Sequence, residues 1–223
     1  MCAKQRIALY GGTFDPVHNG HLDVARKVSE LFEIEKVIFL PAQVAPHKVG
    51  RPVTDPLLRY AMLVLATEDN PKLFVSTFEI EAPNRRYTVD TLSHFVRTLG
   101  TTSELFFIMG ADSWVEITTW REWQKLLTMT NHIVVTRPGY TLSGPEEVKE
   151  RIVNLTSRDC LPESSVGNGT KIYLTDVVMR DVSATQIRSF AAAGNFAEVA
   201  ARVPPAVARY MQKYKIYQES NEV

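Results

Sequence analysis

An excess of charge of either sign is missing from this chain. Twenty-five lysines and arginines (25) meet 25 aspartates and glutamates, so the formal net charge is zero. A protein whose main work is gripping a nucleic-acid backbone carries a strong positive surplus, and the balance here argues against that class. A local positive pocket for a small anion remains compatible with it. Cysteine is nearly absent: Cys2 and Cys160 are too few for a disulfide framework and fit a reducing compartment. Long apolar runs are absent too. The longest, such as residues 105–109, are strand-sized, far short of the roughly 18 residues a membrane span needs. Residues 1–6 are polar and basic, with no apolar stretch of signal-peptide length, so no export signal and a cytoplasmic location are expected. Neither an internal repeat nor a low-complexity tract is present.

What is there is ordinary globular composition: 45% apolar and 22% charged residues over 223 positions. A domain of this length buries roughly 70% of its unfolded surface and needs no metal or disulfide staple. Short runs rich in Val, Ile and Phe at 6–10, 36–41, 73–79, 104–109, 132–137 and 171–177 read as strands. They are almost continuously apolar, which suggests burial on both faces. Between them, 20–32, 55–67 and 89–99 carry apolar positions at helical spacing, the second with Pro56 in its first turn. The alternation predicts an α/β fold: a doubly wound, mainly parallel sheet of about six strands with helices on both faces. Residues 183–193 and 204–214 predict C-terminal helices. The polar stretch 138–170, with an exposed helix over 146–154, is expected to be a surface excursion from a single domain covering 1–223. Ligands of such sheets bind beyond the carboxyl ends of the strands, where strand order reverses.

The first predicted strand runs into Gly11-Gly12-Thr13-Phe14-Asp15-Pro16-Val17-His18-Asn19-Gly20-His21 and then an apolar helix. Two glycines let the backbone approach a ligand that a Cβ would repel. The helix start beyond them offers unpaired N–H groups and the positive end of a dipole, a natural seat for phosphate. His18 and His21 are three apart, so both reach one anion from one face. A zinc reading of the pair lacks a third and fourth ligand nearby, and no metal site is expected. The block lacks the Gly-Lys-Ser/Thr ending of a Walker A loop and the spacing of a dinucleotide-binding glycine motif. Three more segments fall on the same expected sheet edge. Lys48 follows the second strand and suits phosphate as a mobile point charge. Gly110 and Asp112 follow the fourth, placing a carboxylate where ribose hydroxyls would lie. Near the C-terminus, Asp181 or Ser183 would cap a helix, so that Ser183, Thr185 and Arg188 converge on a phosphate chain.

His18-Asn19-Gly20-His21 matches the HxGH signature of the nucleotidyltransferase superfamily. Ser183-Ala184-Thr185-Gln186-Ile187-Arg188 resembles its second signature, with Ala184 where relatives often have Ser. These signatures leave several members open: pantetheine-phosphate adenylyltransferase, glycerol-phosphate cytidylyltransferase and the pyridine-nucleotide enzymes. Three central segments, Tyr87-Thr88-Val89-Asp90-Thr91-Leu92, Thr118-Thr119-Trp120-Arg121-Glu122-Trp123 and Thr136-Arg137-Pro138-Gly139-Tyr140, resemble the bacterial nicotinate mononucleotide adenylyltransferases. The likeness spans roughly residues 7–214 and is weakest over 145–170.

That resemblance implies a transfer of AMP from ATP to nicotinate mononucleotide, giving deamido-NAD and pyrophosphate without a covalent enzyme intermediate. Gly11, Gly12, Thr13, Phe14, His18, His21, Gly110, Asp112, Ser183, Thr185 and Arg188 would then bind ATP. Thr13, Lys48, Tyr87, Thr88, Trp120 and Arg137 would take the mononucleotide. Trp120 would stack on the nicotinate ring, and Thr88 with adjacent backbone would receive its carboxylate. Trp114 and Trp123 are expected to pack. His18, His21, Lys48 and Arg188 form the implied catalytic set, with Mg²⁺ carried on the ATP phosphates. The expected partners are these two small molecules, with no nucleic acid and no membrane; nothing in the sequence assigns an oligomeric state. A related adenylyltransferase or a non-catalytic nucleotide-binding module stays open, as does the choice between nicotinate and nicotinamide.

Overall fold

Alternation of side chains decides how the strands sit. In β1 (Gln5–Gly12), Ala8 and Tyr10 join one apolar cluster while Leu9 joins another on the opposite face. In β4 (Ser103–Gly110), Phe106 and Ile108 point one way and Phe107 and Met109 the other. Both faces of these strands are buried, which is why their sequences are nearly unbroken in apolar residues. The structure is a computed structural model that describes residues 4–43, 53–82, 86–136, 142–155, 169–176 and 182–218.

With β2 (Lys36–Pro41), β3 (Leu73–Val75), β5 (Asn131–Val135), β6 (Ile152–Leu155) and β7 (Ile172–Thr175), these strands form one seven-stranded sheet in the order β3-β2-β1-β4-β5-β7-β6. Every pairing is parallel. The expected doubly wound α/β sheet is therefore present, with one strand more than the six expected. Helices α1 (Asn19–Leu31) and α2 (Pro56–Thr67) pack on one face. The other carries α3 (Thr88–Leu99), α4 (Ala111–Val115) and α5 (Trp123–Met129). The C-terminal helices α6 (Ala184–Ala192), α7 (Phe196–Ala200) and α8 (Pro205–Lys213) return to the first face. Asp55 caps α2 by accepting from the Leu57 amide at 2.8 Å, and Pro56 opens the helix. Among the described residues no helix is long and apolar enough to cross a membrane.

Two expectations change. Residues 146–154 do not form an exposed helix: a 3₁₀ turn, Glu146–Arg151, leads into edge strand β6. Val148 and Leu155 are buried, and the Trp114 indole donates to Ser143 O at 3.0 Å. Part of the stretch read as a surface excursion thus completes the sheet, because its β-branched residues find β7 as a partner. The second change is β3, which ends at Val75 instead of running to residue 79. The Ser76 hydroxyl accepts from the Phe78 amide at 3.2 Å and turns the chain there, as serine side chains commonly do. That turn carries Glu79 toward the strand ends.

The chain runs β1 to β2 to β3 on one side and then crosses to β4 on the other side of β1. Strand order reverses between β1 and β4, and the site opens there.

Candidate active site

Gly11 and Gly12 close β1, and neither has a positive φ. Their role is space. A Cβ on Gly11 would lie 2.9 Å from the Phe107 ring, and one on Gly12 2.8 Å from the Phe14 ring. The left-handed residue is Phe14, with φ at 51°; its buried ring packs edge-on against Tyr10, Phe39 and His21. Phe14 therefore reaches any ligand through its backbone, while its side chain anchors the turn.

His18 is the N-cap of α1 and His21 its third residue. The two imidazoles stack at 3.7 Å between centroids. The His18 amide donates to His21 Nδ1 at 3.2 Å, which leaves Nε2 as the proton-bearing nitrogen of a neutral ring. Burial lowers His18 to a pKa of about 4, so at neutral pH it is an uncharged donor. Gly20 makes room for it: a Cβ there would sit 3.1 Å from His18 Nδ1.

The C-terminal signature folds back onto this turn. Val182 lies 3.8 Å from the position of a Gly20 Cβ, and Arg188 Nη1 donates to Asp15 O at 2.7 Å. Arg188 Nη2 also donates to Thr185 Oγ1 at 3.1 Å. Ser183, one of the two residues expected to cap this helix, occupies the N-cap position of α6, and its side chain makes no capping bond. His18, His21, Thr185 and Arg188 thus gather around Thr13–Asp15. The buried Asp15 carboxylate accepts from the hydroxyl of Tyr217, at the far end of the chain.

On the other side of the same glycines lies a cavity of about 240 Å³. Its walls include Gly11 and Gly12 from the end of β1, Thr13 from the turn that follows, Met109 from β4, and Tyr87, Thr88 and Trp120. Thr88 opens α3 after the N-cap Tyr87, so the start of the helix and its positive dipole end lie at the cavity wall. A carboxylate suits that position. Trp120 supplies an aromatic wall. Trp114 is buried and packs, as expected.

The structure also brings in residues that sequence reasoning missed. Glu79, Arg86, Ser113 and Arg121 line the cavity. Ser113, not its neighbour Asp112, is the lining residue after β4; Asp112 is exposed in the first turn of α4, which Gly110 caps. The Arg86 guanidinium lies 4.1 Å over the Phe78 ring, and that of Arg121 4.8 Å over Tyr87. Arg86 and Arg121 adjoin Tyr87 and Trp120 in sequence, which was the available signal. Burial raises Glu79 to a pKa of about 7, opposed by a hydrogen bond from Thr91 and the charge of Arg86. Lys48, Arg137 and Asp181 lie outside the described residues.

The sequence profile of the cytidylyltransferase-like family matches residues 9–190. A chain from Thermoanaerobacter sp. (strain X514), named "Probable nicotinate-nucleotide adenylyltransferase", is 40% identical over 222 residues, covering 100% of this chain and 99% of that one. A chain of the same name from Moorella thermoacetica is 38% identical, covering 95% and 91%. The chain belongs to the cytidylyltransferase-like family, in its nicotinate-nucleotide adenylyltransferase branch. Among solved structures, the nicotinic acid mononucleotide adenylyltransferase of Plasmodium falciparum complexed with NaAD superposes on this family member with a TM-score of 0.72. The superposition covers 96% of this chain and 97% of that one at 20% identity, and shows the shared fold.

Proposed function

We propose that this protein transfers AMP from ATP to nicotinate mononucleotide, forming deamido-NAD and pyrophosphate. The observation that carries the reading is a single glycine-walled turn with a different receptor on each side. His18, His21 and Arg188 stand on one side; Trp120 and the start of α3 stand on the other, at the cavity. ATP phosphates take the first side, and a flat anionic ring takes the second.

The reaction needs no enzyme nucleophile. A phosphate oxygen of the mononucleotide attacks the α-phosphorus of ATP, the bond from that phosphorus to the α,β-bridging oxygen breaks, and pyrophosphate leaves in line. The protein holds two anions that repel each other and stabilises charge on the transferring group. Neutral His18 donates a hydrogen bond to the phosphate chain, His21 donates from Nε2, and Arg188 with Lys48 neutralises the oxygens. Gly110 and Asp112 serve the ribose of ATP. Thr13, Tyr87 and Arg137 serve the mononucleotide, whose ring stacks on Trp120 and whose carboxylate meets Thr88 and the adjacent amides. Mg²⁺, a hard cation, would be held by the ATP oxygens and would supply charge neutralisation there. Among the described residues no three His, Cys, Asp or Glu side chains converge on one point.

The deciding experiment offers ATP with nicotinate mononucleotide, nicotinamide mononucleotide and phosphopantetheine in parallel, reading pyrophosphate release. The highest kcat/KM is expected with nicotinate mononucleotide. A higher value with phosphopantetheine, or ATP binding without release for any acceptor, overturns the reading.

A further inference from the structure

Arg59, in the first turns of α2, is completely buried. Its hydrogen bonds among the described residues all go to main-chain carbonyls. Nε donates to Thr54 O at 2.9 Å, Nη1 to Thr13 O at 2.7 Å, and Nη2 to Ala42 O at 2.7 Å and Gln43 O at 3.3 Å. One planar fork thus ties together the turn after β1, the chain leaving β2 and the chain entering α2. Burying a guanidinium is costly; the charges of Asp15 and Asp55 nearby offset part of that cost, while the hydrogen bonds all go to carbonyls. An apolar side chain could fill this space but could not hold the four carbonyls of Thr13, Ala42, Gln43 and Thr54 in place.

What it holds is the direction of the peptide groups beside the glycines. In a trans peptide the C=O and the following N–H point opposite ways. Thr13 C=O is drawn to Arg59, so the Phe14 N–H is turned away from α2. Gly12 C=O accepts from the Ala42 amide at 3.0 Å, so the Thr13 N–H is turned away from β2. Phe14 lies in the left-handed region, the conformation in which successive N–H groups converge into an anion-binding nest. Such a residue persists only where its surroundings hold it. Two residues on, Arg188 takes the carbonyl of Asp15.

We propose that Arg59 is a positioning residue that sets the Thr13–Phe14 amides as a receptor for the ATP phosphates while itself touching no substrate. This rests on the reading that the turn seats ATP. The guanidinium acts through the Thr13 and Ala42 carbonyls, and lysine, with one point of charge, cannot reproduce the fork.

The test has two arms. In the wild-type protein, amide and imidazole NMR signals are followed as ATP is added without acceptor; a large downfield shift of the Phe14 amide is expected. In Arg59→Lys, ATP affinity measured by calorimetry on folded protein is expected to fall about tenfold to a hundredfold, the scale on which small misplacements act. A merely structural role would lower the urea midpoint and leave the ATP affinity of folded protein unchanged, which overturns the proposal. If the variant does not fold, the wild-type arm decides. Shifts at His18 and His21 without one at Phe14 overturn this inference and keep the ATP site. No response anywhere in the turn or the imidazoles overturns both.

Discussion

The hydroxyl of Tyr217 donates to Asp15 Oδ1 at 2.7 Å, joining residues 202 apart in the chain. Burial and the neighbouring carboxylate hold the phenol protonated, so it remains a donor throughout the physiological range. Through this bond and the buried Ile216 before it, the C-terminal tail braces the turn on which the candidate site is built. Tyr217→Phe removes the donor and leaves a buried carboxylate oxygen short of a partner. The expected cost is about 1–3 kcal/mol. That corresponds to a melting temperature lower by roughly 2–12 °C for a chain of this size. Calorimetry checks it; an unchanged melting temperature contradicts the brace.

Gly20 separates activity from stability. Alanine is the better helix former by up to about 1 kcal/mol, yet its Cβ would press on the His18 ring at 3.1 Å and 3.2 Å. Gly20→Ala is expected to melt no lower than the wild type while kcat falls about tenfold or more, since displaced catalytic groups lose rate steeply. Wild-type turnover in this variant would remove His18 from the reaction.

The local parts of the site were legible in the sequence. Gly11, Gly12, His18, Gly20 and His21 fall in one eleven-residue block, and strand, turn and helix follow in order. Ser183 to Arg188 was legible for the same reason, as a helix start with its own polar pattern. The parts that only folding brings together were not. Glu79 reaches the cavity because β3 stops early, and Tyr217 reaches Asp15 from a tail with no motif of its own. Helices α4, α5 and α7, of 5, 7 and 5 residues, are too short to display a periodic stripe. Strand β6 hid in a polar stretch because only its pairing with β7 reveals it.

Trp120 lines the cavity beside Thr88. A pyridinium ring over indole gains about 1–2 kcal/mol of cation–π attraction, much the same in ground and transition states. Trp120→Ala is therefore expected to raise KM for the mononucleotide about five- to thirtyfold, with kcat and KM for ATP little changed. Initial rates with each substrate varied in turn check this. A rise confined to the KM for ATP would place the ring elsewhere.

Glu79 gives the cavity a pH dependence. Its carboxyl, raised to about 7 by burial, ionises as pH climbs from 6 to 8 and adds negative charge beside a site assigned to an anion. KM for nicotinate mononucleotide is expected to rise about three- to tenfold over that range beyond any change in Glu79→Gln, given a charge pair several ångströms apart at intermediate dielectric. Parallel KM–pH profiles of the two proteins measure the difference. Identical profiles would show that Glu79 does not face the bound anion.

His132 sets a stability slope of the opposite sense. It is fully buried in β5, its Nδ1 2.9 Å from Thr130 O, and burial lowers its pKa to about 3. An unfolded histidine titrates near 6.5, so between pH 6.5 and 3 the unfolded chain binds a proton that the folded chain refuses. Stability from this group is complete above pH 6.5 and is lost as pH falls below it. Going from pH 7 to pH 5 costs about 2 kcal/mol on this account. His18, lowered to about 4, adds a loss of the same sign, whereas Glu79 acts oppositely, its raised pKa favouring the folded state as pH falls from 7 toward 4.5. The comparison that isolates His132 is therefore between proteins. Urea unfolding of the wild type and His132→Gln at pH 7 and pH 5 should show the variant losing about 2 kcal/mol less on acidification, even though it starts less stable. Equal losses in the two proteins would mean that His132 accepts its proton in the folded state.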